Sequence, residues 1–140
     1  IVLAFFIPLL IDSGGNVGTQ SATIIIRSMA TGDVRLGQWM RTMAKEISVG
    51  VSLGLTMGVA TSLVGFYRGG WEIGLVVGIT MTFIVVFSNL VGASLPFLLT
   101  RLRLDPAAAS SPLITTLVDI MGLLLYFLVA TVLLGAFNVL

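Results

Sequence analysis

The sequence predicts an all-α membrane protein, a polytopic bundle of four membrane-spanning helices, from three observations. Of its 140 residues, 57% are hydrophobic and only 9% are charged, and the mean hydropathy is +1.14. Soluble domains carry roughly 25% charged residues. The apolar runs are also long, with no charged residue in 47–67 or in 73–100. Because such continuous runs are too long for barrel strands, the spans are expected to be helices.

The same composition excludes several classes of function. A net charge of +1 provides no electrostatic footprint for DNA or RNA, so nucleic acid is not an expected partner. The chain contains neither Cys nor His, which removes thiolate and imidazole chemistry and the usual zinc sites. We therefore predict that the protein is not an enzyme and uses no organic cofactor.

Four stretches are long enough to cross a membrane as helices, for which about 20 mostly apolar residues are needed. We expect one transmembrane domain over 1–140, with membrane lipid around it and spans at 1–30, 42–66, 71–100 and 108–138. The chain begins with Ile rather than Met, and we interpret it as a fragment of a longer polypeptide.

The basic residues predict the orientation of these spans. The second connection holds only Arg68, whereas the first and third, with their flanks, hold Arg27, Arg35, Arg41, Lys45, Arg101 and Arg103. Since Lys and Arg concentrate on the cytoplasmic side, the first and third connections are expected there. Both ends of the chain then lie on the external side, which implies an odd number of preceding spans, most simply one.

The first span combines helix-breaking and polar residues. Pro8 lacks a backbone donor and Gly14 and Gly15 loosen the backbone, so we expect a broken or kinked helix near Asp12. Beyond the glycines, polar side chains recur on one helical face, formed by Asn16, Thr19, Gln20, Thr23 and Arg27. This polar stripe runs toward the cytoplasmic side.

The fourth span carries a matching stripe in the same half of the membrane. Ser111, Thr115 and Asp119 follow one another at four-residue spacing, and Pro112 stands near the expected helix start. Asp119 lies about 12 residues from the cytoplasmic end, or roughly 18 Å deep. Two polar stripes in one half of the membrane are able to line a single aqueous path.

The two intramembrane acids have alternative roles. A charged residue at the bilayer centre costs several kcal/mol, about 2.5 to 3.5 on insertion scales, and usually faces a cavity or a partner. Asp119 is expected to contact a cation, the alternative being a structural carboxylate. Asp12 either caps the helix that follows it or contacts an ion. Asn16 either bonds another helix or lines a pore.

The other small residues favour helix packing. Glycines recur every four residues in the second and third spans, where they allow helix backbones to approach closely: Gly50, Gly54, Gly58, Gly74 and Gly78. The candidate ligands of the first and fourth spans are all oxygens, which favours a hard cation over a soft metal. Mg²⁺, Ca²⁺, Mn²⁺, Na⁺, K⁺ and H⁺ all remain open on this argument. One carboxylate among hydroxyl and amide groups fits Mg²⁺, which keeps several of its waters.

Four ordered clusters resemble the MgtE family of magnesium channels over essentially the whole chain. The first cluster runs from Pro8 to Thr23 around Gly14-Gly15-Asn16, and it is followed by Lys45-Glu46. The other two are the segment from Ser88 to Phe97 and Asp105-Pro106 followed by the segment from Ser111 to Gly122.

The resemblance implies a homodimer with five transmembrane helices per subunit, of which this chain supplies helices two to five. It implies a pore on the dimer axis, lined by the first and fourth spans. Asp119 would bind partly hydrated Mg²⁺, with the backbone carbonyl of Thr115 contributing, and the signature asparagine falls on Asn16. Ser111 stands where the family commonly has Asn before Pro. The resemblance also implies cytoplasmic regulatory domains in the full-length protein and a prokaryotic plasma membrane.

The prediction for function is therefore a magnesium-selective channel or transporter domain that conducts divalent cations, with Mn²⁺ or Ca²⁺ as other candidate ions. The candidate metal-binding residues are Asp12, Asn16, Ser111, Thr115 and Asp119. One alternative is a secondary transporter or exchanger of hard cations, for which a broken first span would suit alternating access. Another is a membrane assembly subunit that transports nothing.

Overall fold

The computed structural model describes residues 2–137, apart from the side chains of 108–110, and over this range it is helical with no strand. Short 3₁₀ turns at Leu3–Phe6 and Leu36–Gln38 precede the first two long helices. The long helices are α1 (Ile7–Ala30), α2 (Trp39–Arg101) and α3 (Pro106–Ala136). The all-α prediction is confirmed.

A single glycine divides α2 into two legs. Gly70 has φ 85° and ψ −179°, a backbone conformation that L side chains rarely adopt. We call the legs α2a (39–69) and α2b (71–101). The break lies in the connection that the sequence predicted between the second and third spans. The predicted boundaries are otherwise close to the observed ones, and the predicted positions 1 and 138 lie outside the described residues.

Two helices of the described chain are long and apolar enough to cross a membrane, Leu36–Arg101 with 66 residues and Ser111–Ala136 with 26 residues. The first is about three times the length of roughly 20 residues that one crossing needs. These helices support the prediction of a membrane protein. Four separate crossings and a dimer remain predictions.

The two legs of α2 pack antiparallel, with backbone against backbone. A Cβ atom built on Gly65 would lie 2.9 Å from the Cα of Gly74. A Cβ atom on Gly58 would lie 2.7 Å from the carbonyl oxygen of Gly78. Real side chains do not tolerate such distances, so these positions require glycine. The predicted packing role of the recurring glycines is confirmed at these contacts.

The leg α2b lies at the centre of the bundle, because α1 and α3 both pack against it. Val76, Val77 and Met81 are fully buried in the main core, together with Phe6 and Leu10 of the N-terminal segment. On the same side, the Tyr126 hydroxyl of α3 donates a 2.6 Å hydrogen bond to the carbonyl of Leu3. The N-terminal segment is thereby held between α2b and α3.

The predicted break in the first span is wrong, because α1 is continuous from Ile7 to Ala30. Pro8 lies within the first two helical positions, where the helix does not need its missing donor. Gly14 is used for packing instead: a Cβ there would lie 2.6 Å from Ile84 Cγ2 and 2.9 Å from Val118 Cγ1. The helical cost of a glycine, about 1 kcal/mol relative to alanine, is offset by this close approach.

The predicted place of Pro112, near the start of the fourth helix, is wrong. The helix begins at Pro106, and the Asp105 side chain caps it by accepting a 2.9 Å hydrogen bond from the Ala107 amide. Pro112 is therefore inside the helix rather than at its start. A proline at such a position removes one helical hydrogen bond, which frees a backbone carbonyl one turn earlier.

We expect Gly58→Ala to destabilise the protein by about 1–3 kcal/mol, because the added methyl overpacks the contact between the legs of α2. Gly135→Ala is the matched control, since a Cβ at Gly135 meets nothing within 4 Å. The measurement is thermal unfolding of the purified full-length protein in detergent. Equal unfolding temperatures for the two variants would contradict the packing argument.

Candidate functional site

A cleft of about 340 Å³ between α1 and α3 brings together all five predicted site residues. Its lining consists of Ile11, Asp12, Gly15, Asn16, Thr19, Ser111, Thr115 and Asp119. The polar stripes that the sequence placed on the first and fourth spans therefore face one another. Gln20, Thr23 and Arg27, which extend the first stripe, do not line this cleft.

Asp119 lies on the α3 side of the cleft and is half-buried. Its Oδ1 atom is buried and has no hydrogen-bond partner among the described residues. A Cβ atom on Gly15 would lie 3.9 Å from this oxygen, so the α1 backbone approaches the carboxylate closely. Buried polar atoms in folded proteins nearly always have a partner. An unpartnered carboxylate oxygen in an open cleft is therefore available to a ligand.

Asp12 and Asn16 form the α1 side of the cleft, one turn apart. The Asn16 Nδ2 donates a 3.2 Å hydrogen bond to Asp12 Oδ2. Asp12 lies inside α1 rather than at its start, so the capping alternative for this residue is wrong. Among the described residues, the bond of the Asn16 side chain stays within one helix, and its two alternative roles remain predictions.

The hydroxyl of Thr115 donates to the carbonyl of Ser111 at 3.1 Å, which occupies its proton but not its lone pairs. Ser111 and Thr115 are both exposed, as are Asp12 and Asn16 on the facing helix. The cleft is consequently open on one side. These four polar side chains are therefore exposed on a bundle that is otherwise apolar.

The cleft carries two carboxylates, and no basic residue is among its lining residues. Within the part of the chain that the structure describes, no group of three or more His, Cys, Asp or Glu residues is placed to hold a metal ion. One chain therefore offers scattered oxygen ligands rather than a closed cage of carboxylates. Such a site is suited to a cation that keeps part of its hydration shell.

The sequence alone did not reveal a polar network that joins α1 to both legs of α2. The Asn89 Nδ2 donates to the backbone carbonyl of Glu46 at 2.8 Å and to Glu46 Oε2 at 3.0 Å. The Ser21 hydroxyl donates to the carbonyl of Asn89 at 3.1 Å. The available signal was Asn89, a polar residue within the uncharged run 73–100, because the side chain of a buried asparagine requires hydrogen-bond partners. The network fixes α1, and with it one wall of the cleft.

An apolar helical bundle with an acidic, oxygen-lined cleft is typical of a membrane transporter for cations. A family profile described as a divalent cation transporter matches residues 7–129. The chain belongs to this family, which is named MgtE. The resemblance to this family that the sequence showed is thus confirmed.

Three curated relatives carry the name magnesium transporter MgtE. The relative from Thermus thermophilus is 53% identical over 136 residues, which cover 96% of this chain and 30% of the relative. Those from Enterococcus faecalis and Bacillus subtilis are 35% and 34% identical, over 93% and 94% of this chain and 29% of each relative. The chain therefore spans somewhat less than a third of the length of the relatives it matches.

We expect Asn89→Ala to destabilise the protein by about 1–3 kcal/mol, because it removes the side-chain donor to the Glu46 carbonyl and one of the two donors to Glu46 Oε2. Thr131→Ala is a suitable control, since the Thr131 hydroxyl bonds only the carbonyl of Phe127, one turn earlier in its own helix. Both variants are compared by thermal unfolding in detergent. A loss no larger than that of the control would show that the network does not hold α1.

Proposed function

We propose that this chain is the ion-conducting transmembrane domain of a magnesium transporter, with Asp119 as the principal ion-binding residue. The observation that carries the proposal is the convergence of Asp12, Asn16, Thr115 and Asp119 on one cleft, where Asp119 Oδ1 has no partner among the described residues. Membership of the MgtE family and relatives named as magnesium transporters support the choice of ion.

The chemistry of the cleft favours a hydrated divalent cation. Carboxylate, hydroxyl and amide oxygens are ligands for hard cations, and Mg²⁺ loses its waters reluctantly. A cleft of about 340 Å³ has room for an ion together with water molecules, each of which occupies roughly 30 Å³. Asp119, Asp12, Asn16, Ser111 and the backbone carbonyl of Thr115 are the proposed ligands, either direct or through water. Mn²⁺ and Ca²⁺ are the competing ions to test.

A two-fold dimer would complete this cleft as a pore. Asp12, Asn16, Ser111 and Thr115 are exposed on an otherwise apolar bundle. In a membrane, exposed polar groups at depth must be covered by protein or face water. Two copies joined about an axis beside α1 and α3 would satisfy that requirement and bring two Asp119 carboxylates to one ion.

The proposed arrangement in the membrane follows from the charges. α1, α2a, α2b and α3 would each cross once, with 31–38 and 102–105 on the cytoplasmic side of a prokaryotic plasma membrane. The six basic residues near these connections support that orientation. Cytoplasmic regulatory domains would belong to the part of the polypeptide that lies outside this chain, which spans 30% of its Thermus relative.

A coupled exchanger is the less supported alternative. Alternating-access transporters build their midplane sites from discontinuous helices. Here α1, which carries Asp12 and Asn16, is continuous over Ile7–Ala30. The structural observation that would have favoured coupled transport is therefore missing from the described residues, and passive conduction is the function we favour.

We expect Asp119→Asn to reduce Mg²⁺ flux by roughly tenfold or more, since even outer-shell partners of a metal contribute ten- to a hundredfold to its affinity. Flux is measured with the full-length protein in proteoliposomes under an imposed voltage, without a second ion gradient. Asp33→Asn is the matched control, because Asp33 lies in the exposed connection after α1 and bonds Thr31.

Undiminished flux in Asp119→Asn would place the ion site elsewhere, with Asp12 the next residue to substitute. Flux that required a gradient of another ion would favour the exchanger. An absence of flux in the unsubstituted protein, with folding verified, would favour an assembly subunit.

We also expect Gly15→Ala to lower Mg²⁺ flux several-fold without loss of stability. Its methyl would lie 3.6 Å from Thr115 Cγ2 and beside Asp119, which is ordinary contact but occupies volume in the cleft. Gly122→Ala is the matched control. Its added Cβ would also lie 3.6 Å from the nearest atom, Ile84 Cδ1, but Gly122 does not line the cleft. The same proteoliposome assay compares the two, and equal flux in both variants would contradict the placement of the ion path.

A further inference from the structure

A second and larger concavity is lined by residues of α2, of the turn before it and of α3. It has a volume of about 730 Å³ and is lined by Leu36, Gly37, Trp39, Val91, Ser94, Leu95, Phe97, Leu98, Arg101 and Leu117. We call it the α2–α3 groove. It shares no residue with the cleft.

The α2–α3 groove is apolar and open to the surroundings of the bundle. Leu98 is 53% exposed, Trp39 is 42% exposed and Leu117 is 39% exposed. No side chain fills the groove near Gly37, where an added Cβ would meet nothing within 4 Å. An apolar surface of this kind in a membrane protein is in contact with lipid chains unless protein covers it. Its volume lies within the range of roughly 300–1,000 Å³ that is usual for small-molecule sites.

One charged side chain joins this apolar lining. Arg101 is in the last turn of α2, and it makes no ion pair or side-chain hydrogen bond with the described residues. Arg35 directly precedes Leu36 of the groove, and Arg41 follows Trp39 by two residues. The groove thus combines an apolar floor with positive charge at the end of the bundle. Basic pockets between transmembrane helices bind anionic lipid headgroups.

We propose that the α2–α3 groove binds an anionic phospholipid, with an acyl chain along Leu95, Leu98 and Leu117 and the phosphate at Arg101. Trp39 has the amphipathic ring that is enriched at the membrane–water interface, and it marks the depth of the headgroup. Charge complementarity selects this occupant. A protein segment in the same place would have to supply an acidic group to the guanidinium of Arg101 and apolar side chains to the floor.

The lipid would contact the helix that carries Asp119 from the opposite face. Leu117 of α3 lines the groove, whereas Thr115 and Asp119, two residues to either side, line the cleft. Residues two apart point to different faces of a helix. The groove is therefore a site separate from the ion path, and its occupancy is testable whether or not the chain conducts Mg²⁺.

The test is lipid binding to the full-length protein, delipidated in detergent and titrated with phosphatidylglycerol or with phosphatidylcholine of the same chains. Native mass spectrometry counts the bound lipids. We expect phosphatidylglycerol to bind more tightly, and Arg101→Gln to weaken it about fivefold, as one basic residue at a lipid surface would. Arg103→Gln removes the same charge two residues away, outside the groove, and is expected to leave binding unchanged.

A second variant tests the apolar floor. Gly37→Phe adds a ring to a groove residue whose Cβ would meet nothing within 4 Å, and it is expected to weaken the binding of both lipids. Thermal unfolding of the variant checks that it still folds. An equal loss of phosphatidylglycerol binding in Arg101→Gln and Arg103→Gln would overturn the proposal, because it would show that binding depends on the general surface charge and not on the groove. Unchanged phosphatidylglycerol binding in Gly37→Phe would also overturn it.

A structure of the full-length protein would distinguish a bound lipid from the other occupants of the groove, which are a helix of the same polypeptide and a second copy. A map of the full-length protein in lipid nanodiscs is expected to show branched lipid density in the groove. A helix from the rest of the polypeptide or from a second copy in that place would overturn the proposal. Disulfide-linked dimers formed through Leu98→Cys, and not formed by the unsubstituted full-length protein, would identify the second copy.

Discussion

Close approach between helix backbones at glycine is the constraint on which the rest of this structure depends. α2b contacts α2a through Gly74 and Gly78, and a Cβ on Gly92 would meet the carbonyl of Gly18 in α1. In a bilayer the hydrophobic effect does not drive helices together, so close van der Waals contact of this kind has to do so. The same glycine face of α1 also contacts α3, since a Cβ on Gly18 would lie 2.7 Å from Ile114 Cγ2. The cleft between α1 and α3 is a result of that packing.

The cleft illustrates how an apolar bundle accommodates acid groups. Asp12 is partly satisfied by the amide of Asn16 within its own helix, whereas Asp119 has an oxygen without a partner among the described residues. The two acids are therefore not equivalent. In the function proposed above, the hydrogen-bonded carboxylate at the open edge would attract a hydrated cation, and the unpartnered carboxylate would hold it.

Much of this arrangement was predictable because it depends on periodicity and charge. Four-residue spacing placed Ser111, Thr115 and Asp119 on one face, and the structure brings that face to Asp12 and Asn16. The break in α1 was predicted wrongly, because sequence shows the helical cost of Gly14 and Gly15 but not the packing against Ile84 that offsets it. The network of Asn89, Glu46 and Ser21 was not predicted, since its members are 25 to 68 residues apart in the chain. Nothing in local spacing indicates contacts of that range.

The single-residue joint at Gly70 has a consequence for how the protein assembles. With no loop to order between the legs of α2, their contacts begin beside the joint, where a Cβ on Gly69 would lie 2.7 Å from Ile73 Cγ1, and continue to Gly65 and Gly74. Closure of such short segments costs little chain entropy, and local contacts form fast. In the four-crossing arrangement proposed above, the hairpin would enter the bilayer as one unit. α1, made earlier, and α3, made later, would then dock onto α2b, so that the cleft between α1 and α3 would be the last feature of the domain to form.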